Sequence, residues 1–262
     1  MIRKIRNKLI ALGLVIIIVD VLTSHVSAAA SHTWYIKRRG GERPDFPSDA
    51  CELTKYNAYY IDEKASTMGD KKIYLTFDAG YENGNVERIL NTLRDNGVPA
   101  AFFILDNLIY KNPELIVRMQ NEGHLVCNHT KNHKNLTAKT KEEIEEDLSA
   151  LETVCLEQTG VHMSRYFRYP EGKYSIDSLK SINELGYKTV FWSFAYADWD
   201  NCNQPDKEKA IKKITDNTHP GEIILLHPTS DTNAEILETL ICTWREMGYS
   251  FGTLDELVIS NS

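Results

Sequence analysis

The side chains able to do chemistry in this sequence stand at the ends of apolar runs. Lys72 to Asn83 reads KIYLTFDAGYEN, with β-branched and aromatic residues from Ile73 to Phe77, then Asp78, a glycine and a polar turn. A buried strand that stops at a carboxylate delivers it to a rim, where it can act as a general base. The duller role for Asp78 is to cap the helix that begins near Asn83 or Gly84. His129 and His133 form H-x-x-x-H directly after the run His124 to Asn128. That spacing sets both imidazoles on one side of a helical turn, where they can share one divalent ion; a chance pair of surface histidines has the same spacing. Arg168, in Phe167-Arg168-Tyr169-Pro170-Glu171-Gly172, can pair with Asp78, orient it and keep it ionised, or serve only as a structural ion pair. Pro170 and Gly172 imply a fixed, non-helical loop that could aim backbone N–H groups at a ligand. His227 closes the apolar run Glu222 to Leu226. Alone it is as consistent with a satisfied core histidine, but a hydrogen bond to Asp198 would favour the imidazolium that a general acid requires. Trp199, beside Asp198, either stacks on a sugar or closes the core.

Those side chains need a frame that carries strand ends to one place. From Ile73 onward, amphipathic helices end at a glycine and a strand follows at once, at Asn96-Gly97-Val98, Glu122-Gly123-His124, Leu185-Gly186-Tyr187 and Met247-Gly248-Tyr249. Val86, Ile89, Leu90 and Leu93 recur at helical spacing, as do Ile144, Leu148, Leu151 and Cys155. Asn112 with Pro113 is a helix start, and Thr140 with Glu143 and Thr232 with Glu235 are candidate capping boxes. The strands fall at 73–77, 100–105, 124–129, 165–169, 188–193, 222–227 and 249–253. Roughly seven β/α units fit an α/β barrel; an open doubly wound sheet shares the alternation. Reactive groups follow the first, third, fourth and sixth strands, which a closed ring brings together, so the barrel is the preferred architecture. Residues 29–70 have no sustained period and read as an extended lead-in that packs on a single catalytic domain over 71–260.

The first residues differ. Arg3, Lys4, Arg6 and Lys8 precede an uncharged apolar run from Leu9 to Val19 and then Ser27-Ala28-Ala29-Ala30. This order reads as a signal peptide over 1–28, so the protein is expected outside the cytoplasm, with no stable membrane span after cleavage. Removing the segment moves the net charge from -7 to about -10 by the same counting. That acidity, with no basic run after the signal, excludes a nucleic-acid binder. Five cysteines without a CxxC resemble neither a disulfide scaffold nor a zinc ribbon.

Taken together, TFDAG, HTKNH, RYPEG, the Asp198-Trp199 segment and LLH, in this order over about Lys72 to Leu257, resemble the polysaccharide deacetylases, the fourth carbohydrate esterase family. Tyr81-Glu82-Asn83-Gly84, the lead-in Trp34 to Tyr60 and FRYPEGKYS are similar to the sporulation subgroup that deacetylates muramic acid for δ-lactam formation in the spore cortex. The resemblance implies a distorted (β/α)7 barrel and hydrolysis of an N-acetyl group on the glycan strands of peptidoglycan, by a monomer in the cell wall or cortex compartment. It implies Asp78 as base, His227 as acid, Arg168 and Asp198 tuning them, and a divalent metal, zinc by preference, on His129 and His133. Tyr169, Pro170, Gly172 and Trp199 are expected to contact substrate. One departure matters: the family usually places a second carboxylate after the base, and here that position is Ala79. A methyl group cannot ligate, so the ion should bind more weakly. Two rival functions remain at this stage, a deacetylase of N-acetylglucosamine or another acetylated polysaccharide, and a barrel that binds glycan without catalysis.

Overall fold

Strands form where the alternation predicts them, and three short ones join from segments that show no period. In chain order they are His32–Thr33 (β1), Ala58–Tyr59 (β2), Lys72–Ala79 (β3), Ala101–Ile104 (β4), Leu125–Asn128 (β5), Ser164–Phe167 (β6), Lys173–Tyr174 (β7), Lys188–Val190 (β8), Glu222–Leu226 (β9) and Ser250–Phe251 (β10). The computed structural model describes residues 30–261; the signal segment expected over 1–28 lies outside the described residues.

The main sheet runs β10-β3-β4-β5-β6-β8-β2, with β9 on the other side of β3. Every pairing in it is parallel. The sheet curls until the chain after β8 meets β9, where Phe194 bridges to Ile224 and Leu225 N donates to Phe194 O at 2.9 Å. The result is a distorted α/β barrel, the architecture preferred from where the reactive groups fall and implied by the family resemblance, rather than the open doubly wound sheet that shares the alternation. Its strands are buried on both faces, as parallel strands covered by helices must be: from Ile73 to Phe77 every residue of β3 is buried. Phe77 stacks on Phe102 at 5.0 Å between ring centroids in the largest apolar cluster.

The helices end as their sequence signals require. Gly97, Gly123, Gly186 and Gly248 all have positive φ, the left-handed geometry that stops a helix without Cβ strain. The capping box at Thr140 and Glu143 is formed in full. The one expected at Thr232 and Glu235 is not: Ser230 caps the helix Asp231–Glu246 by accepting from Asn233 N. Asp78 caps nothing either. Gly84 precedes the helix Asn85–Asn96, and Glu82 accepts from the backbone of Gly84 and Val86.

Residues 30–70 hold more regular structure than their lack of period suggests. They contribute β1, the helices Ala50–Leu53 and Glu63–Met68, and β2, which extends the main sheet beside β8. Trp34 anchors the segment: its side chain is 3% exposed, Nε1 donates to Trp192 O at 2.9 Å, and its rings lie 4.7 Å from Phe191. No helix among the described residues is long and apolar enough to cross a membrane. The five cysteines are unbridged, with Cys127 and Cys155 buried as small apolar side chains.

Candidate active site

Register sets the site. The last residues paired between β3 and β9 are Phe77 and Leu226, so Asp78, still paired with Phe103 of β4, and His227, the first residue past β9, stand side by side. The last pair between β5 and β6 is Asn128 and Phe167, and His129 and Arg168 follow in the same way. All four side chains therefore gather at the carboxyl ends of the strands, the face where β/α barrels carry their chemistry.

Arg168 is fully buried and ties the ends together. Nη1 donates to Asp78 Oδ1 at 2.8 Å, Nη2 to Thr76 Oγ1 at 2.8 Å, and Nε to Val190 O at 2.9 Å. Its guanidinium lies over the Phe103 ring at 4.2 Å. Burial pulls the Arg168 pKa down and Asp78 pulls it back up; a guanidinium stays charged throughout. Asp78, with a side chain 10% exposed, is pushed up by burial and down by Arg168, His129 and His227, and ends below the usual carboxylate range. Burial drives His129 down to about 4, so that imidazole is neutral at pH 7 and Arg168 is the cation that keeps Asp78 ionised.

His227 and Asp198 form the second pair. Asp198 is fully buried, and its Oδ1 lies 2.8 Å from His227 Nδ1 while Oδ2 accepts from His227 N at 2.8 Å. Burial lowers the His227 pKa, but the Asp198 hydrogen bond and charge, with Asp78 behind them, outweigh it and leave the pKa raised. Asn233 Nδ2 donates to Asp198 Oδ2 at 2.6 Å, and Tyr196 OH bonds to Asn233 Oδ1.

A cleft of about 560 Å³ opens above these residues, lined by Asp78, His129, His133, Gly172, Trp199 and His227 among others. Trp199 is 61% exposed and meets His227 edge-on at 6.1 Å, so of the two roles open to it the core-closing one is excluded. His133 reaches His129 at 5.0 Å between ring centroids, though not along a helical turn: Thr130 and His133 both take left-handed backbone in an irregular loop.

Two expectations need correcting. Tyr169 does not face the cleft; it is fully buried against Phe167 and Phe191, and Pro170 is buried behind the loop. Nor does the loop aim the Gly172 N–H at a ligand, because it donates to Tyr169 O at 3.0 Å. Gly172 itself lines the cleft where a Cβ would stand 2.8 Å from Trp192 Cη2 at φ +64, so glycine is needed for close approach. Tyr81 and Glu171, which stand inside the YENG and RYPEG segments but are not among the expected contacts, also line the cleft, as does Trp192, which carries no motif signal beyond its nearness to a strand end.

The donors that could hold a cation are His129 and His133. His129 Nδ1 lies 2.9 Å from Arg168 O, which as a carbonyl must accept, so the neutral ring carries its proton there and keeps a lone pair on Nε2. That lone pair faces Asp78 Oδ2 at 3.5 Å, two acceptors opposed with no hydrogen between them. This donor set fits a cation held by two imidazoles. Ala79 adds nothing, its methyl being buried in the apolar cluster, and no group of three or more His, Cys, Asp or Glu converges on a metal position among the described residues.

A curled β/α barrel with a carboxylate and an imidazole, each braced by an opposite charge, facing one cleft is the build of a hydrolase. A model of the polysaccharide deacetylase family matches residues 65–190. The chain is 38% identical over 229 residues to the peptidoglycan-N-acetylmuramic acid deacetylase PdaA of Bacillus subtilis, spanning 86% of this chain and 85% of that one. The solved structure of Bacillus subtilis PdaA, a family 4 carbohydrate esterase, superposes with a TM-score of 0.83 at 36% identity, over 88% of this chain and 98% of that one. A peptidoglycan-N-acetylglucosamine deacetylase of Bacillus cereus is 30% identical over 194 residues, 72% of this chain and 89% of that one. A pseudoenzyme of the same esterase family from Bacillus anthracis superposes with a TM-score of 0.67 at 25% identity, over 77% and 68% of the two chains. The chain belongs to the polysaccharide deacetylase family.

Proposed function

We propose that the protein is an exported peptidoglycan N-deacetylase that removes the acetyl group from N-acetylmuramic acid in peptide-free glycan strands, allowing muramic δ-lactam to form in spore cortex. The observation that carries the reading is the pair of opposed dyads in one cleft, Asp78 with Arg168 and His227 with Asp198. Likeness to the Bacillus subtilis deacetylase over most of both chains supports the substrate.

Asp78, ionised at neutral pH, takes the proton of a water that attacks the acetyl carbonyl. His227, protonated through Asp198, returns a proton to the amine nitrogen as the C–N bond breaks, so the products are acetate and a free amino sugar. Arg168 holds Asp78 in place from beneath, and Trp199 offers the sugar an exposed aromatic face. A divalent cation held by His129 and His133 would supply Lewis acidity to the acetyl carbonyl.

The N-acetylglucosamine reading keeps one specific observation in its favour. Among the described residues lining the cleft there is no lysine or arginine to pair with the lactyl carboxylate that peptide-free muramic acid exposes. The binding-only barrel draws on the missing donor at Ala79 and on the Bacillus anthracis pseudoenzyme.

Mass spectrometry of peptide-free strands after incubation with the protein, with chelator and with added divalent metal, tests these readings. Loss of acetyl from muramic acid, abolished by chelator and restored by metal, is the expected result. Loss from glucosamine alone would transfer the function to the rival substrate. Unchanged strands under every condition would favour another acetylated polysaccharide as substrate or the binding-only barrel.

A further inference from the structure

The carboxylate behind His227 is unusual in what surrounds it. Asp198 is fully buried, yet among the described residues no lysine or arginine pairs with it. Its charge rests on the His227 ring, the His227 backbone N–H, and the side-chain amide of Asn233. We propose that Asn233 is a positioning residue for the acid: its amide clamps Asp198 in the orientation that keeps a proton on His227, with Tyr196 holding the amide in place. This rests on the reading of His227 as the proton donor.

Asn233 grips both partners at once. Its Nδ2 donates to Asp198 Oδ2 at 2.6 Å and to the backbone carbonyl of His227 at 3.0 Å, so the carboxylate and the main chain that carries the imidazole are fixed to one amide. Because the ionised carboxylate can only accept, the NH2 end must face it, and Oδ1 is left to receive the Tyr196 hydroxyl proton. Asn233 is itself set by the helix Asp231–Glu246, whose cap Ser230 accepts from Asn233 N at 3.2 Å. The side chain is 1% exposed, so water does not compete for these bonds.

A neutral donor matters here. A lysine or arginine in its place would stabilise Asp198 as well but would cancel the negative field that His227 needs. The charged groups facing His227 are Asp198 and Asp78, which favour the imidazolium, and Arg168, which with burial opposes it. Asp198 is the nearest of them, and letting it rotate removes the largest favourable contribution.

The test is titration of the His227 imidazole by NMR in the wild-type protein, Asn233→Leu and Tyr196→Phe, with pH profiles of kcat and KM on the acetylated glycan alongside. Asn233→Leu is expected to lower the His227 midpoint by about one pH unit toward the ordinary imidazole value. The alkaline limb of kcat should move with it, kcat at pH 8 should fall ~10-fold, and KM should hold. Tyr196→Phe should shift the midpoint the same way by less. Lower thermal stability with an unmoved midpoint in both variants would make Asn233 a structural residue and overturn the proposal. If Asn233→Leu does not fold, Tyr196→Phe decides by the same criterion. The titration needs no substrate, so it stands even if no glycan is deacetylated, which would sink only the reading of function.

Discussion

Asp78 and His227 end neighbouring strands and must hold opposite protonation states at the same pH. Arg168 achieves this on one side and Asp198 on the other, moving the Asp78 pKa down and the His227 pKa up. The rate should therefore rise as Asp78 loses its proton below the usual carboxylate range, stay level, and fall only as His227 loses its proton above the ordinary imidazole value. Asp78→Asn keeps the hydrogen bond from Arg168 but cannot take a proton, so kcat/KM should drop at least ~100-fold while KM stays near its original value. An Asp78→Asn protein that folds and turns over at the original rate would remove Asp78 from the reaction. The residues of the two dyads are legible in the sequence because each is a polar side chain closing an apolar run. Asn233 is not, because in the first turn of a helix after Ser230 it looks like any capping residue. Tyr169 misleads for the converse reason: between an arginine and a proline it reads as loop, and only the packing of Phe167 and Phe191 shows that the chain turns it inward.

Among the elements, the seven strands of the β/α alternation announce themselves by β-branched runs and glycine stops, but the stretch before them does not. β1, β2 and β7 are two residues each, too short for any period to show, and they form because partners elsewhere in the chain supply the hydrogen bonds. Spacing likewise brings His129 and His133 together by the wrong route, since nothing in their types foretells left-handed backbone at Thr130 and His133. The lead-in nonetheless reaches the cleft. Trp34 N donates to Gly172 O at 2.8 Å and Trp34 Nε1 to Trp192 O, and both Gly172 and Trp192 line the cleft wall. Trp34→Ala would leave a cavity under that wall at a cost of about 3–5 kcal/mol. We expect the melting temperature to fall by about 10 °C and kcat/KM to fall with it, whereas Tyr35→Ala, at a side chain 59% exposed, should change neither. Calorimetry and kinetics on the two variants check this; equal behaviour would mean that the lead-in is only a cover.

At the scale of the whole molecule, curling the sheet into a barrel buries titratable groups that the reaction does not use, and their proton balance shapes stability. Burial holds His124 down to about 4 and lowers His219, while it raises Glu222, at the start of β9, well above the usual carboxylate range. Their directions oppose each other. A histidine whose folded pKa is depressed stays neutral while the unfolded chain takes a proton, so stability is full above the unfolded value of about 6.5 and is lost as pH falls toward about 4. Glu222 keeps its proton in the folded state, so its contribution is present at low pH and is lost as pH rises from the unfolded value through the raised one. Two histidines against one carboxyl, with neutral His129 joining them when no metal is bound, make stability slope downward on acidification. Urea unfolding between pH 7 and pH 5 in the presence of chelator should show that slope. His124→Gln removes one of the acid-sensitive groups and should flatten it, whereas Glu222→Gln removes the opposing group and should steepen it. One slope shared by all three proteins would mean that neither buried group changes its protonation on unfolding, and the burial of His124 and Glu222 would then have to be far less complete in solution than their packing in the barrel requires.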